Sequence, residues 1–206
     1  MPERSPEWRE LGHYGAAGSG VAFAEATISA AWNVQGKSER AAFCEEARRL
    51  FEVDLPFIPN TITKRDGVSA LWLGPTSWLL VAGGASPLAD FAAKRDALNA
   101  LGGALFDVGA SRSVWTISGT HAATVLASGC PLDFHPRAFA PGTCMQSLLG
   151  HVNALFVRNE DAFIVMVARS FARDAWHALT ESAVQYGYDV RPAASCSANG
   201  RDMTFR

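Results

Sequence analysis

Charge is scarce in this chain. Asp, Glu, Lys and Arg make up 18% of its 206 residues, against about a quarter in an average soluble domain. The charges nearly cancel, 18 basic against 20 acidic for a net charge of −2. No basic run stands out, which argues against a nucleic-acid role. Long apolar runs are missing too. The longest, residues 162–168, is far short of the roughly 20 residues needed to cross a bilayer. Four cysteines are present, with no C-x-x-C pair and no ladder of the kind that staples small secreted domains. Four ligands at zinc spacing are absent as well. There is no G-x-S-x-G elbow and no glutamate placed beside a histidine at metalloprotease spacing. The first residues lack a basic stretch followed by an apolar one, so no signal peptide is expected. These absences predict a reduced, soluble, cytoplasmic protein that binds neither nucleic acid nor membrane.

What is plentiful is apolar and aromatic. Hydrophobic residues reach 49%, with six Trp. A chain of this size can bury a real core, as one large domain or two tightly joined halves. Few charges and many Trp suit a protein that hides surface on a partner; a somewhat apolar monomer is the alternative.

Residues 1–21 read as a flexible arm. Its glycine cluster, Gly15-Ala-Ala-Gly-Ser-Gly20, lacks the preceding strand and the following Lys-Ser or Lys-Thr of a phosphate loop. Residues 23–34 read as one strand. Ser38 is placed to cap a helix reaching Phe51, with Phe43, Ala47, Leu50 and Phe51 on one face. Residues 55–62 carry two prolines and cannot be regular helix. Residues 68–73 and 78–82 form a hairpin across Gly74-Pro-Thr-Ser77. Ser86-Pro87 opens a helix with a Leu88, Phe91, Ala92, Leu98, Leu101 stripe, ended by Gly102-Gly103. Strands at 104–108 and 113–118 follow, then a short helix from Thr120 to Ser128. Residues 130–146 are irregular. A second hairpin spans 151–157 and 162–168, and the last helix covers 174–186. Residues 188–206 read as a tail. The order implies α+β with mixed or antiparallel sheets, and a single domain over residues 22–187 made of two packed halves.

Candidate chemistry is sparse. Cys130 and His135 share a proline-rich loop, and a thiolate beside an imidazole is a possible nucleophile; a structural thiol is the competing role. Cys144 and His151 form a looser pair. Asp107 and Asp133 are acids that hold either a substrate amine or pterin ring or a backbone amide. Asn60-Thr61 marks a shaped loop. Arg169 follows the most apolar strand and suits a partner's carboxylate or solvent. His121 and His177 are isolated on helices. No residue is nominated as catalytic, cofactor-binding or metal-binding.

Several segments, in order between about residues 24 and 185, resemble the gamma subunit of heterotetrameric sarcosine oxidase. They are Ala31-Trp-Asn-Val-Gln-Gly36, Leu55-Pro-Phe-Ile-Pro-Asn-Thr61, Ala70-Leu-Trp-Leu-Gly-Pro-Thr-Ser-Trp-Leu-Leu-Val81, Ser118-Gly119, Leu126-Ala-Ser-Gly-Cys-Pro-Leu-Asp133 and Val167-Ala-Arg-Ser-Phe171. The resemblance implies two ferredoxin-like halves, like the folate-binding aminomethyltransferase of the glycine cleavage system. It implies a non-catalytic role beside alpha, beta and delta subunits, chiefly alpha. FAD, FMN, NAD and tetrahydrofolate then belong to the partners, with none in this chain. The implied reaction of the complex is sarcosine and oxygen to glycine and hydrogen peroxide, with the one-carbon unit passed to tetrahydrofolate. An independent folate-binding module and a small thiol enzyme using Cys130 are the alternatives.

A subunit must keep apolar surface for its partner. Stiff irregular loops lose little entropy on docking, which nominates Phe57, Ile58, Leu132, Phe134, Phe139 and Met145. The competing role for these residues is the chain's own core.

Overall fold

The structure is a computed structural model and describes residues 10–82 and 89–194. These fall into two compact units: residues 28–82 with 89–109, and residues 10–27 with 110–194.

The first unit is a five-stranded antiparallel sheet. Its elements are β3 (Ala30–Gln35), α1 (Ala41–Phe51), β4 (Ile62–Arg65), β5 (Val68–Gly74), β6 (Ser77–Ala82), α2 (Phe91–Ala100) and β7 (Ala104–Asp107). Strand order is β4-β5-β6-β3-β7. Without the edge strand β4 this is the ferredoxin-like order, two split βαβ crossovers interleaved. Alternation along the strands sends Trp32, Val34, Val68, Ala70, Trp78 and Leu80 to one core, where they meet Phe43, Ala47 and Phe51 of α1 and Leu98 of α2. The helix face follows from 3.6-residue spacing. Gly36 and Gly103 make room for it, because a Cβ on either would lie within 2.5 Å of the Phe43 ring. Lys94 on α2 donates to the Leu50 carbonyl near the end of α1 at 2.7 Å, placing a cation where the helix dipole is negative.

The second unit repeats that order: β8 (Arg112–Ser118), α3 (Ala122–Gly129), β9 (Cys144–Leu149), β10 (Val152–Arg158), β11 (Ala162–Ala168), α4 (Ala172–Ala183) and β12 (Tyr188–Ala194). Two strands from before the first unit join it, β1 (Gly12–Tyr14) and β2 (Val21–Ala26). The sheet order is β1-β12-β2-β8-β11-β10-β9, so β2 is inserted between the first and last strands of the repeat. It pairs antiparallel with β8 and parallel with β12. Its core joins Phe23, Phe156, Val165, Leu179 and Tyr188, among others. Phe23 sits edge-on to both Trp176 and Tyr188, at 5.3 and 5.4 Å.

The α+β class with two ferredoxin-like halves stands. Several local expectations change. Residues 23–34 are two strands, β2 and β3, in different sheets. Ser29 makes the break, its N–H and hydroxyl both donating to the Ala82 carbonyl. Helix α1 starts after Arg40 rather than at Ser38, because Arg40 N–H closes a turn onto the Lys37 carbonyl first. Ser86, Pro87 and Leu88 lie outside the described residues; α2 itself begins at Phe91. Edge strands β4 and β9 were not anticipated. Each belongs to a hairpin with a two-residue turn, Asp66-Gly67 and Gly150-His151, and Asp66, Gly67 and Gly150 all have positive φ. Asp-Gly is a strong short-range hairpin signal.

The arm and the tail are also corrected. Residues 12–14 of the expected arm pair with residues 188–190 of the expected tail as strands β1 and β12. The glycine cluster between them and β2 is a close-packed strap. Ala16 N–H donates to the Val184 carbonyl, and Gly20 N–H to the carbonyls of Tyr186 and Gly187. A Cβ at Gly15 would lie 2.4 Å from the Val184 oxygen, and one at Gly187, where φ is 67°, would lie 2.0 Å from the Gly18 oxygen. Glycine is needed here for close backbone approach, not for looseness.

Candidate partner-binding surface

The segment after α1 is held at both ends and in the middle. Glu52 takes a left-handed conformation (φ 57°) and its N–H donates to the Arg48 carbonyl, ending the helix. Leu55 turns into the core. Trp78, fully buried in β6, donates its indole N–H to the Pro56 carbonyl at 2.6 Å. Asn60 is left-handed (φ 63°), and the Thr61 hydroxyl donates to the Ile58 carbonyl at 2.7 Å. The Thr63 hydroxyl donates to the Asp54 carbonyl. Two apolar side chains stand out from this frame. Phe57 is 55% exposed and Ile58 70% exposed. Phe57 packs T-shaped on Trp78, with the ring centroids 6.1 Å apart.

The second nominated loop behaves differently. Phe134 is 2% exposed and Phe139 fully buried. Both belong to the core of their own unit, packed on Phe163, with Phe134 also on Phe156. A turn closed by Ala138 and Phe139 N–H groups on the His135 carbonyl brings the two rings 6.0 Å apart. Arg158 donates to the Phe134 carbonyl and lies 4.6 Å over the Phe163 ring. Phe134 and Phe139 are therefore core residues, not surface anchors. Leu132 and Met145 are partly buried against the same core.

The chemical candidates take structural positions. Cys130 and Cys144 are buried reduced thiols, while His135 and His151 are exposed. His135 Nδ1 accepts from the Arg137 amide. Asp133 accepts from the His135 amide at 2.8 Å and Asp107 from the Gly109 amide at 3.0 Å, so both acids cap turns. Burial, then the carboxylates of Glu39 and Glu45, push the Cys44 thiol up from its ordinary value, which keeps it protonated. Arg169 is exposed and donates to the Arg112 carbonyl. His121 precedes α3 and stacks on Tyr186 at 4.4 Å. His177 pairs with Glu181 on an exposed helix face. Among the described residues no group of three His, Cys, Asp or Glu side chains is placed to hold a metal, and no helix is long and apolar enough to cross a membrane.

Sequence reasoning passed over one polar cluster. His13, Ser19 and Asp189 meet where the strap lies on β12. Asp189 is 176 residues from His13 and 170 from Ser19, so no spacing pattern reveals the cluster. Lys64 on β4 was also missed. Its Nζ is shielded from solvent, and burial lowers its pKa.

Fold and surface together define an α+β chain of two repeated ferredoxin-like units with an apolar pair raised on a pinned loop. The same fold occurs in glycine cleavage system aminomethyltransferase T from Bartonella henselae. That likeness has a TM-score of 0.59 at 15% identity, over 85% of this chain and 48% of that one. A chain of the heterotetrameric sarcosine oxidase from Corynebacterium sp. U-96, solved with pyrrole 2-carboxylate, matches at a TM-score of 0.74 and 25% identity. The match covers 84% of this chain and 89% of that one. Residues 35–185 match the sarcosine oxidase, gamma subunit family, and the chain belongs to that family. Sarcosine oxidase subunit gamma from Corynebacterium sp. (strain P-1) and from Arthrobacter sp are each 33% identical over 125 residues. Those matches span 59% of this chain and 59% of the relatives' length.

Proposed function

We propose that this chain is the non-catalytic gamma subunit of a cytoplasmic heterotetrameric sarcosine oxidase. It docks on larger subunits, chiefly alpha, in a complex that also contains beta and delta. FAD, FMN, NAD and tetrahydrofolate are held by those partners. The complex converts sarcosine and oxygen to glycine and hydrogen peroxide and passes the one-carbon unit to tetrahydrofolate. The gamma chain supports assembly and the folate-binding part of alpha. One observation carries this reading: the likeness to a chain of a heterotetrameric sarcosine oxidase over 84% of the present chain. The division of labour agrees with chemistry, since carbon–nitrogen oxidation needs a flavin or similar electron acceptor that side chains do not replace.

The docking element in this proposal is the loop that presents Phe57 and Ile58. A loop already held by Trp78, Asn60 and Thr61 loses little conformational freedom when a partner closes over it. Fully burying a side chain of this size contributes about 1.5–3 kcal/mol.

The test is co-expression with the two large flavin subunits and delta, followed by size-exclusion chromatography and a peroxide assay with sarcosine. The chain is expected to co-elute with the large subunits, and alone to produce no peroxide. Failure to co-elute overturns the assignment. Tight tetrahydrofolate binding by the isolated chain would instead favour an independent folate-binding module.

A further inference from the structure

The strap of residues 10–20 is fastened to β12 by side chains as well as by backbone. His13 Nδ1 lies 2.9 Å from Asp189 Oδ1, and its Nε2 lies 2.9 Å from the Ala16 carbonyl oxygen. Both facing atoms are acceptors. A neutral imidazole has one N–H and can serve only one of them; the imidazolium serves both. Ser19 donates to the other Asp189 oxygen at 2.5 Å, and Arg191 Nη2 lies 3.5 Å from it. This is not a nucleophile arrangement. The Ser19 hydroxyl is spent on the carboxylate, and the far nitrogen of His13 is spent on a backbone carbonyl.

The strap covers something specific. β1 is the outermost strand of the sheet and pairs with β12 through three residues only. Tyr14 stacks on the fully buried Tyr188 at 5.4 Å. If the strap lifts, the hydrogen-bonding edge of β12 and the Tyr188 ring are uncovered.

We propose that His13 and Asp189 form a proton-operated latch that holds the strap over the β12 edge and releases it as pH rises. Among the described residues, the charged and titratable groups around His13 are these. From β12 come Asp189 and Arg191, with Tyr188 as the neighbouring ring. From its own segment come Glu10 and Tyr14, and from the strap the Ser19 hydroxyl and the Ala16 carbonyl. His121 lies at the far end of the strap, near Gly20.

The sign follows from the two partners. The Asp189 hydrogen bond, then the Ala16 carbonyl, raises His13 above its ordinary 6.5. A group raised in the folded state stabilises fully below its unfolded pKa, and that stabilisation is lost as pH climbs through the raised value. Hydrogen bonds from Ser19 and then His13 lower Asp189 below its ordinary 3.8. Its contribution is present above that value and lost as pH falls through the depressed one. The latch is closed between the two and opens on the alkaline side.

The experiment is an NMR titration of the His13 imidazole in the full chain, paired with amide exchange of residues 12–20 across pH 5–9, corrected for intrinsic rates. His13 is expected to titrate above 6.5, and the Asp189→Asn variant to lower that value. Strap protection should fall with rising pH, tenfold for each unit by which the His13 pKa exceeds its unlatched value. In His13→Gln this pH dependence should vanish. Titration of wild-type His13 at or below 6.5 overturns the proposal, whatever the variants do. So does strap protection that depends on pH equally in wild type and His13→Gln.

Discussion

Two loops of this molecule read alike as sequence and end up opposite in space. Residues 54–61 and 130–143 both carry prolines and large apolar side chains in irregular chain. In the first, Phe57 and Ile58 face outward; in the second, Phe134 and Phe139 are buried. Proline content makes a loop stiff but does not set which way its side chains point. That is decided by what lies underneath. Below residues 54–61 the space is already filled by Trp78, whose indole N–H takes the Pro56 carbonyl. Below residues 130–143 the sheet offers Phe156 and Phe163, and the turn on the His135 carbonyl aims two rings at them.

The contrast can be broken hardest at the buried loop. Phe139→Ala should cost about 3–5 kcal/mol, the range for emptying a buried aromatic site. Urea denaturation of the isolated chain measures it. A loss under about 1 kcal/mol would mean that the loop is not core.

The exposed loop should respond in association instead. Phe57→Asp should weaken co-elution with the large subunits by about 2–4 kcal/mol while the isolated chain melts at nearly the same temperature. Unfolding of the isolated variant would make Phe57 a core residue. No change in either readout would move the interface elsewhere.

A smaller effect is expected at Cys130, the buried thiol that opens the residue 130–143 loop. Cys130→Ser should lower stability by about 1–3 kcal/mol, since a hydroxyl is more costly to bury than a thiol. Turnover of an assembled complex should stay unchanged. Lost turnover with intact assembly would revive Cys130 as a nucleophile.

The smallest change is expected at His177→Ala. Its ion pair with Glu181 is more than three-quarters exposed on the His side, and such surface substitutions stay within about 0.5 kcal/mol. A larger shift in urea denaturation would give that helix face a role its exposure does not suggest.

The hairpins and α1 were legible because their signals are local. Short apolar runs parted by turn residues marked β5, β6, β10 and β11, and 3.6-residue spacing marked the face of α1 through Phe43, Ala47 and Phe51. The Asp66-Gly67 turn was equally local and was simply passed over. The break within residues 23–34 was harder. Ile28 and Ser29 suit a strand as residue types, and the chain turns there because Ser29 finds the Ala82 carbonyl, 53 residues away. On the candidate surface, Phe57 and Phe139 were indistinguishable by type, and only their surroundings separated them.

The strap shows the same division. Composition alone made Gly15-Ala-Ala-Gly-Ser-Gly20 a linker, since small residues without packing groups form flexible coil by default. In the fold Gly15 and Gly20 are what allow the chain to lie within backbone contact of Val184 and Tyr186. By itself the sequence determined what depends on near neighbours: strand and helix periods, the α+β class and the family resemblance carried by contiguous motifs. The tertiary structure alone decided what depends on distant chain. It inserted β2 between β12 and β8, buried Phe139 while leaving Phe57 exposed, and brought His13 to Asp189. Each of these rests on contacts between residues far apart in the chain, and a residue's type does not say which distant partner will arrive.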